Sequence, residues 1–499
     1  MEGLIDGFAV IMTPMNLGFA LLGVFLGTLV GVLPGIGPVG SMALLLGITY
    51  ELPPTTALIM FAGIYYGSMY GGSTTSILLN IPGEATAVIT AIDGNQMAKK
   101  GRAGAALFIA AVGSFVAGTV GLLFLTFLAP RLAQFALQFG PTEYFAIAFF
   151  GLVTLCQISG QAVWKSLVMV GIGLLVGAVG IDLVSGYERM TFGIVPLQKG
   201  IDFVPVAMGL FGLSEVFQVA EEKIGSKADV LKVKLKELLP NKKEARASVG
   251  PIIRGSFLGF FVGLIPGPSG VISTFFSYFI EKKLSKNPGE FGHGAIAGVA
   301  GPESANNSAA AGAFVPLLSL GLPFSPPTAM LISAMMIHGV TPGPMLITNH
   351  PEVFWGLIAS MYIGNVLLLV LNVPMVGLFV NVLRTPLGLL MPIIVILCIV
   401  GTYAINTSMV DLWVMVIAGI IGFIFKKLKF STAPLVLAVV IGPMMENSMR
   451  QALLISNTGF KIFVTEPISC VILIATLLIV VIPIINKIVK TARAKSQVA

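Results

Sequence analysis

"VGVLPGIGPVG" (Val30–Gly40) and "VGLIPGPSGVI" (Val262–Ile272) put the same helix breakers at the end of two apolar runs. Proline lacks a backbone N–H and clashes with the preceding turn, and glycine frees the chain to bend. In lipid such a break leaves polar backbone uncovered, so it persists only against protein or a water-filled cavity. Two breaks in nearly the same letters therefore point to a duplicated helical device inside a membrane.

Composition agrees. Of 499 residues, 56% are hydrophobic and 10% charged, with mean hydropathy +0.96. A soluble chain carries about 25% charged residues. "FAIAFFGLVTLCQI" (from Phe145), "LWVMVIAGIIGFIF" (from Leu412) and "CVILIATLLIVVIPII" (from Cys470) are continuous apolar runs. A β-barrel would alternate apolar and polar residues instead. The runs predict an all-α polytopic membrane protein with about 12 membrane helices plus re-entrant or broken ones. "MEGLIDGFAV" has no basic stretch of the kind that opens a cleaved signal, so the first helix is expected to stay.

Net charge is +7 and the pI about 9.2. The positives fall in short loops, which suits orientation in a bilayer and not nucleic-acid binding. The longest polar stretch, Glu221–Arg254, holds nine Lys/Arg against five Asp/Glu. It reads as a cytoplasmic basic linker between an N-terminal repeat (1–220) and a C-terminal repeat with the last helices (255–499). The tail from Asn486 reads as cytoplasmic too.

The halves share an order of words. "LPG" (Leu33), "AGIYYG" (Ala62), "LLNIPG" (Leu78) and "DGNQMAKKG" (Asp93) are answered by "IPG" (Ile265), "AGVAGP" (Ala297), "LSLGLPF" (Leu318) and "HGVTPGP" (His338). Pro34 and Pro266 lie 232 residues apart, and Pro82 and Pro323 lie 241 apart. Repeats with broken helices in matching places point to the binding site of a secondary transporter. The repeats are inverted if each half crosses the membrane an odd number of times.

Two polar clusters lie between apolar flanks. "YGGSTTSILLNIPG" holds Gly71, Gly72, Ser73, Thr74, Thr75, Ser76, Asn80 and Pro82. Its hydroxyls can cap backbone amides at a helix start or bind a carboxylate. "AGPESANNSAAAG" holds Glu303, Ser304, Asn306, Asn307 and Ser308 and reads as its counterpart. A carboxylate among apolar residues lines a cavity or has a partner. Asn306 and Asn307 offer oxygens to a cation such as Na⁺ and NH₂ groups to an anion. Free amides at the breaks, near Gly35, Gly37, Gly267 and Ser269, suit an anionic substrate. "DGNQMAKKGRAG" (Asp93–Gly104) reads as an orienting loop, and Glu84 as a first-turn acid after the Pro82-Gly83 break.

Other chemistries find less. Cys156, Cys398 and Cys470 stand singly in apolar segments and suggest neither disulfides nor a metal site. His293, His338 and His350 lack the spacing of a helical zinc pair. "GPSG" (Gly267–Gly270) matches a short pattern of rhomboid-like intramembrane serine proteases, with Ser269 as nucleophile. No Ala-His-x-x-Gly accompanies it, and the first-half counterpart has no serine. A passive anion channel is the other alternative.

"GVLPGIGP" (Gly31–Pro38), "GIYYGSMYGGSTTSILLNIPG" (Gly63–Gly83), "DGNQMAKKGRAGAAL" (Asp93–Leu107), "VGIDLVSGYERMTFG" (Val179–Gly193), "GLIPGPSG" (Gly263–Gly270) and "AGPESANNSAAAGAFVPLLSLGLPFS" (Ala300–Ser325) carry a resemblance. From about Leu17 into the last membrane segments, the chain resembles the large permease subunit of the tripartite tricarboxylate transporters. It departs from the family at "DGN" (Asp93–Asn95), where Asp-Gly-Tyr is expected, and at "LPFSPPTA" (Leu322–Ala329), where Phe324 stands in place of a small residue. The resemblance implies a prokaryotic cytoplasmic-membrane permease. It implies two partners, a small four-helix membrane subunit and an extracytoplasmic solute-binding protein that delivers a carboxylate. It also implies Na⁺ or H⁺ as coupling ion and no enzymatic activity or ATP hydrolysis. No Gly-x-x-x-x-Gly-Lys-Ser/Thr loop occurs.

Overall fold

The computed structural model describes residues 2–33, 37–80, 83–159, 161–182, 185–221, 239–375, 377 and 387–496. The helices in chain order are α1 (Glu2–Ile11), α2 (Pro14–Val32), α3 (Gly37–Leu46), α4 (Pro54–Leu79), α5 (Val88–Met97) and α6 (Ala103–Ala136). Then come α7 (Pro141–Ile158), α8 (Val163–Gly177), α9 (Phe203–Glu221), α10 (Lys242–Gly263), α11 (Ser269–Leu284) and α12 (Ala297–Leu320). The last are α13 (Pro326–Ile337), α14 (Pro351–Asn372), α15 (Leu387–Asn406), α16 (Met409–Lys427), α17 (Ala433–Ile455) and α18 (Pro467–Ser496). Two two-residue strands, Gly180–Ile181 and Glu188–Arg189, pair antiparallel. The protein is an all-α polytopic membrane protein, as the apolar runs predict.

Six described helical stretches are long and apolar enough to cross a membrane: α2, Ala85–Ala136, α7, α9, α14 and α16. A further pair, Gly459–Thr465 and Pro467–Pro483, is bent by 86°. Four apolar helices are shorter, among them α3, α8 and α13. The 26-residue α4 and 24-residue α12 have the length but are not among the six, and both carry the polar clusters read above.

The chain forms two compact units. The first comprises 1–136, 201–265 and 269–427, and the second 137–200, 266–268 and 428–499. Each therefore draws on both halves of the sequence. In the second unit Gly173 of α8 lies against the Leu435 carbonyl of α17. There Glu446 joins Arg189 at 2.7 Å and Arg450 at 2.8 Å.

In the first unit α2 packs on α4 through glycines one turn apart. A Cβ at Gly23, Gly27 or Gly31 would stand 2.3, 2.4 or 2.3 Å from the carbonyl oxygen of Met60, Ile64 or Ser68. Helix α10 meets α12 in the same way. A Cβ at Gly255, Gly259 or Gly263 would stand 2.5, 2.1 or 2.4 Å from the carbonyl oxygen of Gly301, Ala305 or Ala309. Only glycine lets two backbones approach so closely, the arrangement typical of membrane helix pairs. The second set of glycines lies 232 residues after the first, and its partners lie 241 after theirs. These are the offsets of the proline pairs. Helix ends follow the same register, because Asn80 caps α4 at φ 59° and Gly321 caps α12 at φ 69°. A residue in that left-handed conformation closes a helix.

The register corrects one expectation. It equates Glu303 with Ala62 and Ser73 with Phe314, so the two polar clusters are not counterparts. They come together because α4 and α12 cross in opposite directions. Ser73, late in α4, meets Glu303, early in α12, while Phe314, late in α12, stacks on Tyr65 at 5.9 Å.

One further expectation changes. Ser73–Ser76 lie inside the last turns of α4 and cap no helix start. Residues Lys242–Arg254, the end of the basic stretch, open α10, where Asn241 and Glu244 exchange backbone-to-side-chain hydrogen bonds of 2.8 and 2.9 Å. That reciprocal cap satisfies two donors a bare helix end would leave open. The rest of the linker, 222–238, lies outside the described residues.

Candidate functional site

The site is built around the crossing of α4 and α12. Glu303 is 1% exposed and accepts hydrogen bonds from the hydroxyls of Ser73 and Thr90. The hydroxyls hold the carboxylate of α12 against α4 and α5. The other buried acids of the neighbourhood have stronger partners. Glu281 is paired with Arg254, and Asp93 Oδ1 accepts the amides of Gly292, Gly294 and Ala295 at 2.7 to 2.9 Å. Asp93 Oδ2 accepts the Tyr278 hydroxyl at 3.0 Å. Asp93 thus lies in a buried helix and fastens the segment leading into α12, where an orienting loop was expected. The chain bends after it, at Gly101 with φ 75°.

Adjacent amides on α12 face two ways, as a 100° step per residue demands. Asn307 Nδ2 donates to Ser114 Oγ of α6 at 2.7 Å and to the Glu303 carbonyl at 3.1 Å, and its Oδ1 is buried without a partner. Beside Ser114 is a cavity lined by Tyr70, Ser73, Thr74, Ala110, Ser114 and Asn372. Asn306 instead faces the start of α11. A Cβ on Gly270 would lie 3.3 Å from Asn306 Oδ1 and 2.9 Å from the Thr86 methyl. Both amide atoms of Asn306 are buried and unpartnered.

The remaining expected residues divide by role. Gly71 packs on the Thr28 carbonyl, and Thr75 donates to the Val32 carbonyl at 2.7 Å, so both serve the α2–α4 seam. Gly72 is covered by the Glu84 side chain, whose Cγ would lie 3.1 Å from an added Cβ. Ser304 Oγ is buried without a partner, 2.9 Å from where a Cβ on Gly113 would sit. Ser269 is buried at the first turn of α11, and no histidine bonds to it among the described residues. Gly37 opens α3 at φ 61° with open space around it. Asn80 is exposed. Gly267 falls in the second unit at φ 129° with Leu155 beside it. Gly35 and Pro82 lie outside the described residues, as does Pro34.

Thr90, Ser114 and Asn365 escape a sequence reading, while Tyr70 opens the first polar cluster. Tyr70 donates to Asn365 Oδ1 at 2.7 Å, and Asn365 Nδ2 reaches the Phe115 carbonyl at 2.8 Å. Ser114 and Asn365 are isolated polar residues in apolar helices, which carry no pattern. The described residues include no group of three or more His, Cys, Asp or Glu able to hold a metal ion.

The model of the tripartite tricarboxylate transporter TctA family matches residues 17–437. The chain belongs to the TctA family. A relative from Agrobacterium vitis, an uncharacterized 52.8 kDa protein in the TAR-I ttuC′ 3′ region, is 48% identical over 482 residues. That match covers 97% of this chain and 96% of the relative. A second A. vitis protein, from the TAR-II ttuC′ 3′ region, is 46% identical over 230 residues, 46% of this chain and 95% of its own length. No solved structure matches. The TctA chain is thus a multi-pass membrane protein of a tripartite transport system, and its interior polar cluster lies within the matched residues.

Proposed function

We propose that this TctA-family chain is the permease subunit of a binding-protein-dependent secondary transporter that imports organic di- or tricarboxylates. The observation that carries this reading is the buried polar cluster of Thr74, Ser114, Asn307 and Asn372, which encloses a cavity the size of one water molecule that a parting of the helices would open to a carboxylate. Its polar lining is neutral hydroxyls and an amide, which can donate to carboxylate oxygens as they shed water. A neutral lining also lets the substrate leave again, since a buried cation opposite it would bind too tightly. Family membership supports a tripartite setting, and on this reading the partners are a small membrane subunit and an extracytoplasmic solute-binding protein at a prokaryotic inner membrane. On this reading the 221–254 segment and the C-terminus face the cytoplasm, as their basic residues favour.

The two halves are read as inverted repeats. Equivalent helices α4 and α12 cross in opposite directions, which a two-fold axis in the membrane plane requires. Inverted repeats support alternating access, here elevator-like, driven by Na⁺ or H⁺.

Reconstitution of the chain with its membrane subunit and binding protein tests the reading. Proteoliposomes given a Na⁺ or H⁺ gradient should accumulate labelled citrate or a dicarboxylate only when the binding protein is present. Downhill flux without binding protein or gradient would instead identify a passive anion channel. A protease would lose its activity in Ser269→Ala, a change that should leave transport intact.

A further inference from the structure

The cavity walled by α4, α6 and α14 has polar groups whose hydrogens are unevenly spent. They belong to Tyr70, Ser73, Thr74, Ser114 and Asn372, all buried. With the helices together, three of the five use their hydrogens elsewhere. The Tyr70 hydroxyl donates to Asn365 Oδ1 at 2.7 Å, and the Ser73 hydroxyl donates to Glu303 Oε2. Asn372 Nδ2 donates to the Leu368 carbonyl at 2.9 Å and to Thr28 Oγ1 at 3.5 Å. What these three have left for a guest is oxygen lone pairs. The other two keep a hydrogen. Ser114 Oγ accepts from Asn307 Nδ2, and its own proton meets no acceptor among the described residues. Thr74, 4% exposed, makes no side-chain hydrogen bond among them.

A carboxylate only accepts hydrogen bonds. It suits Thr74 and Ser114, but at Tyr70, Ser73 and Asn372 its lone pairs would face other lone pairs. A hydroxyl group brings the missing hydrogen, and its single oxygen matches a cavity the size of one water molecule. An ammonium group brings hydrogens too but accepts none, whereas this wall holds donors as well as acceptors.

We propose, resting on the transport reading, that the wall selects hydroxy-substituted carboxylates. The hydroxyl lies against Tyr70, Ser73 and Asn372, and the carboxylate on the neighbouring carbon lies against Thr74 and Ser114. The closed cavity seats the hydroxyl alone, and the carboxylate enters as the helices part. A 2-hydroxy acid carries the two groups on adjacent carbons, and Ser73 and Thr74 are consecutive in the chain. Glu303 acts here as a positioning residue. By taking the Ser73 hydrogen, it turns that oxygen into an acceptor for the substrate. A site built to bond a substrate hydroxyl rejects the analogue that lacks it, because its own polar groups are then left unpaired.

Malate, succinate and aspartate test this, since they share a four-carbon dicarboxylate and differ only at one carbon. Uptake of labelled malate and succinate is measured in proteoliposomes holding the chain, its membrane subunit and its binding protein. The binding protein is the same throughout, so its own preference cancels when a variant's malate-to-succinate ratio is divided by that of wild type. Tyr70→Phe and Asn372→Leu each remove an acceptor from the wall and should lower that ratio at least tenfold. An unchanged ratio in a variant that still transports overturns the proposal, leaves the cavity to a structural water and leaves the transport reading standing. A second measurement needs neither partner nor flux: the melting temperature of the purified full-length chain. Malate should raise it further than succinate or aspartate, and Asn372→Leu should erase the difference. Equal shifts from malate and succinate, zero included, overturn the proposal, as does a larger shift from aspartate. A malate-specific shift in a chain whose complex accumulates no dicarboxylate supports the hydroxyl seat while the transport reading fails.

Discussion

Ser73 and Glu303 stand 230 residues apart in the chain and share a hydrogen bond where α4 and α12 cross. Their contact joins the two halves inside the buried polar cluster. A buried carboxylate held by hydroxyls alone is weakly compensated compared with one facing a guanidinium or several amides. It is therefore poised to respond to charge brought in from outside.

The cavity gives the first prediction. Thr74→Ala and Ser114→Ala each remove a donor from its wall. Both variants should insert and elute as wild type, and carboxylate uptake should fall at least tenfold, since a good neutral hydrogen bond to a charged ligand contributes about 1.5–3 kcal/mol. Asn307→Ala removes the partner of Ser114 as well and should abolish uptake. Wild-type transport in all three would move the substrate elsewhere.

The glycine seams give the second. Gly259→Ala puts a methyl on the Ala305 carbonyl, and Gly27→Ala does the same at Ile64. Each should destabilise by about 1–3 kcal/mol through overpacking, read as a lower melting temperature in detergent. Gly18→Ala is the control, because nothing lies within 4 Å of its added methyl. Alanine is the better helix former, so Gly18→Ala should hold or raise the melting temperature, and a drop there equal to the others would mean that seam packing is not what is being measured.

Asp93 gives the third. Asp93→Ala strips three amides and a tyrosine hydroxyl of their acceptor. Amide exchange over 292–297 should quicken by one to two orders of magnitude, as loss of a charged acceptor removes about 1.5–3 kcal/mol. Unchanged protection would show that Asp93 does not fasten the segment.

The fourth concerns pH. Burial pushes the Glu244 carboxyl up, but hydrogen bonds from Arg102 and the Asn241 amide, with the Arg102 charge, outweigh it, so the group lies below the usual carboxylate range. Its folded pKa is depressed, so the stabilisation is present above the ordinary carboxylate pKa and fades as pH falls through the folded value. Glu244→Gln should lower stability at pH 7 by up to about 1 kcal/mol, given a partly exposed pair. The gap to wild type should close below about pH 4. A gap that persists there would assign the effect to the helix cap alone.

Much of the fold is legible in the letters because its causes are local. Continuous apolar runs give membrane helices, and the Pro-Gly words lie between α2 and α3 and between α10 and α11. The offsets of 232 and 241 even carry the register of the glycine seams, although the glycines at 23, 27 and 31 look like ordinary membrane composition until their partners are known. The site is less legible. Reading the two polar words as counterparts does not reveal the Ser73–Glu303 contact, because the two residues meet by crossing and not by symmetry. Asn306 and Asn307 look like one amide pair, yet helix geometry sends them to opposite neighbours. Thr90 and Ser114 act through partners more than 190 residues away, and no local pattern encodes that.

The glycine seams also set rules for movement. Each glycine is a notch in which a carbonyl of the facing helix rests, and notches recur every four residues, a pitch of about 6 Å. A displacement of less than one pitch would drive those carbonyls onto the ridges between notches. Helix α2 therefore cannot creep along α4, nor α10 along α12. Each pair is built as a locked cartridge, so the packing favours flexing at the joints between cartridges over sliding within one.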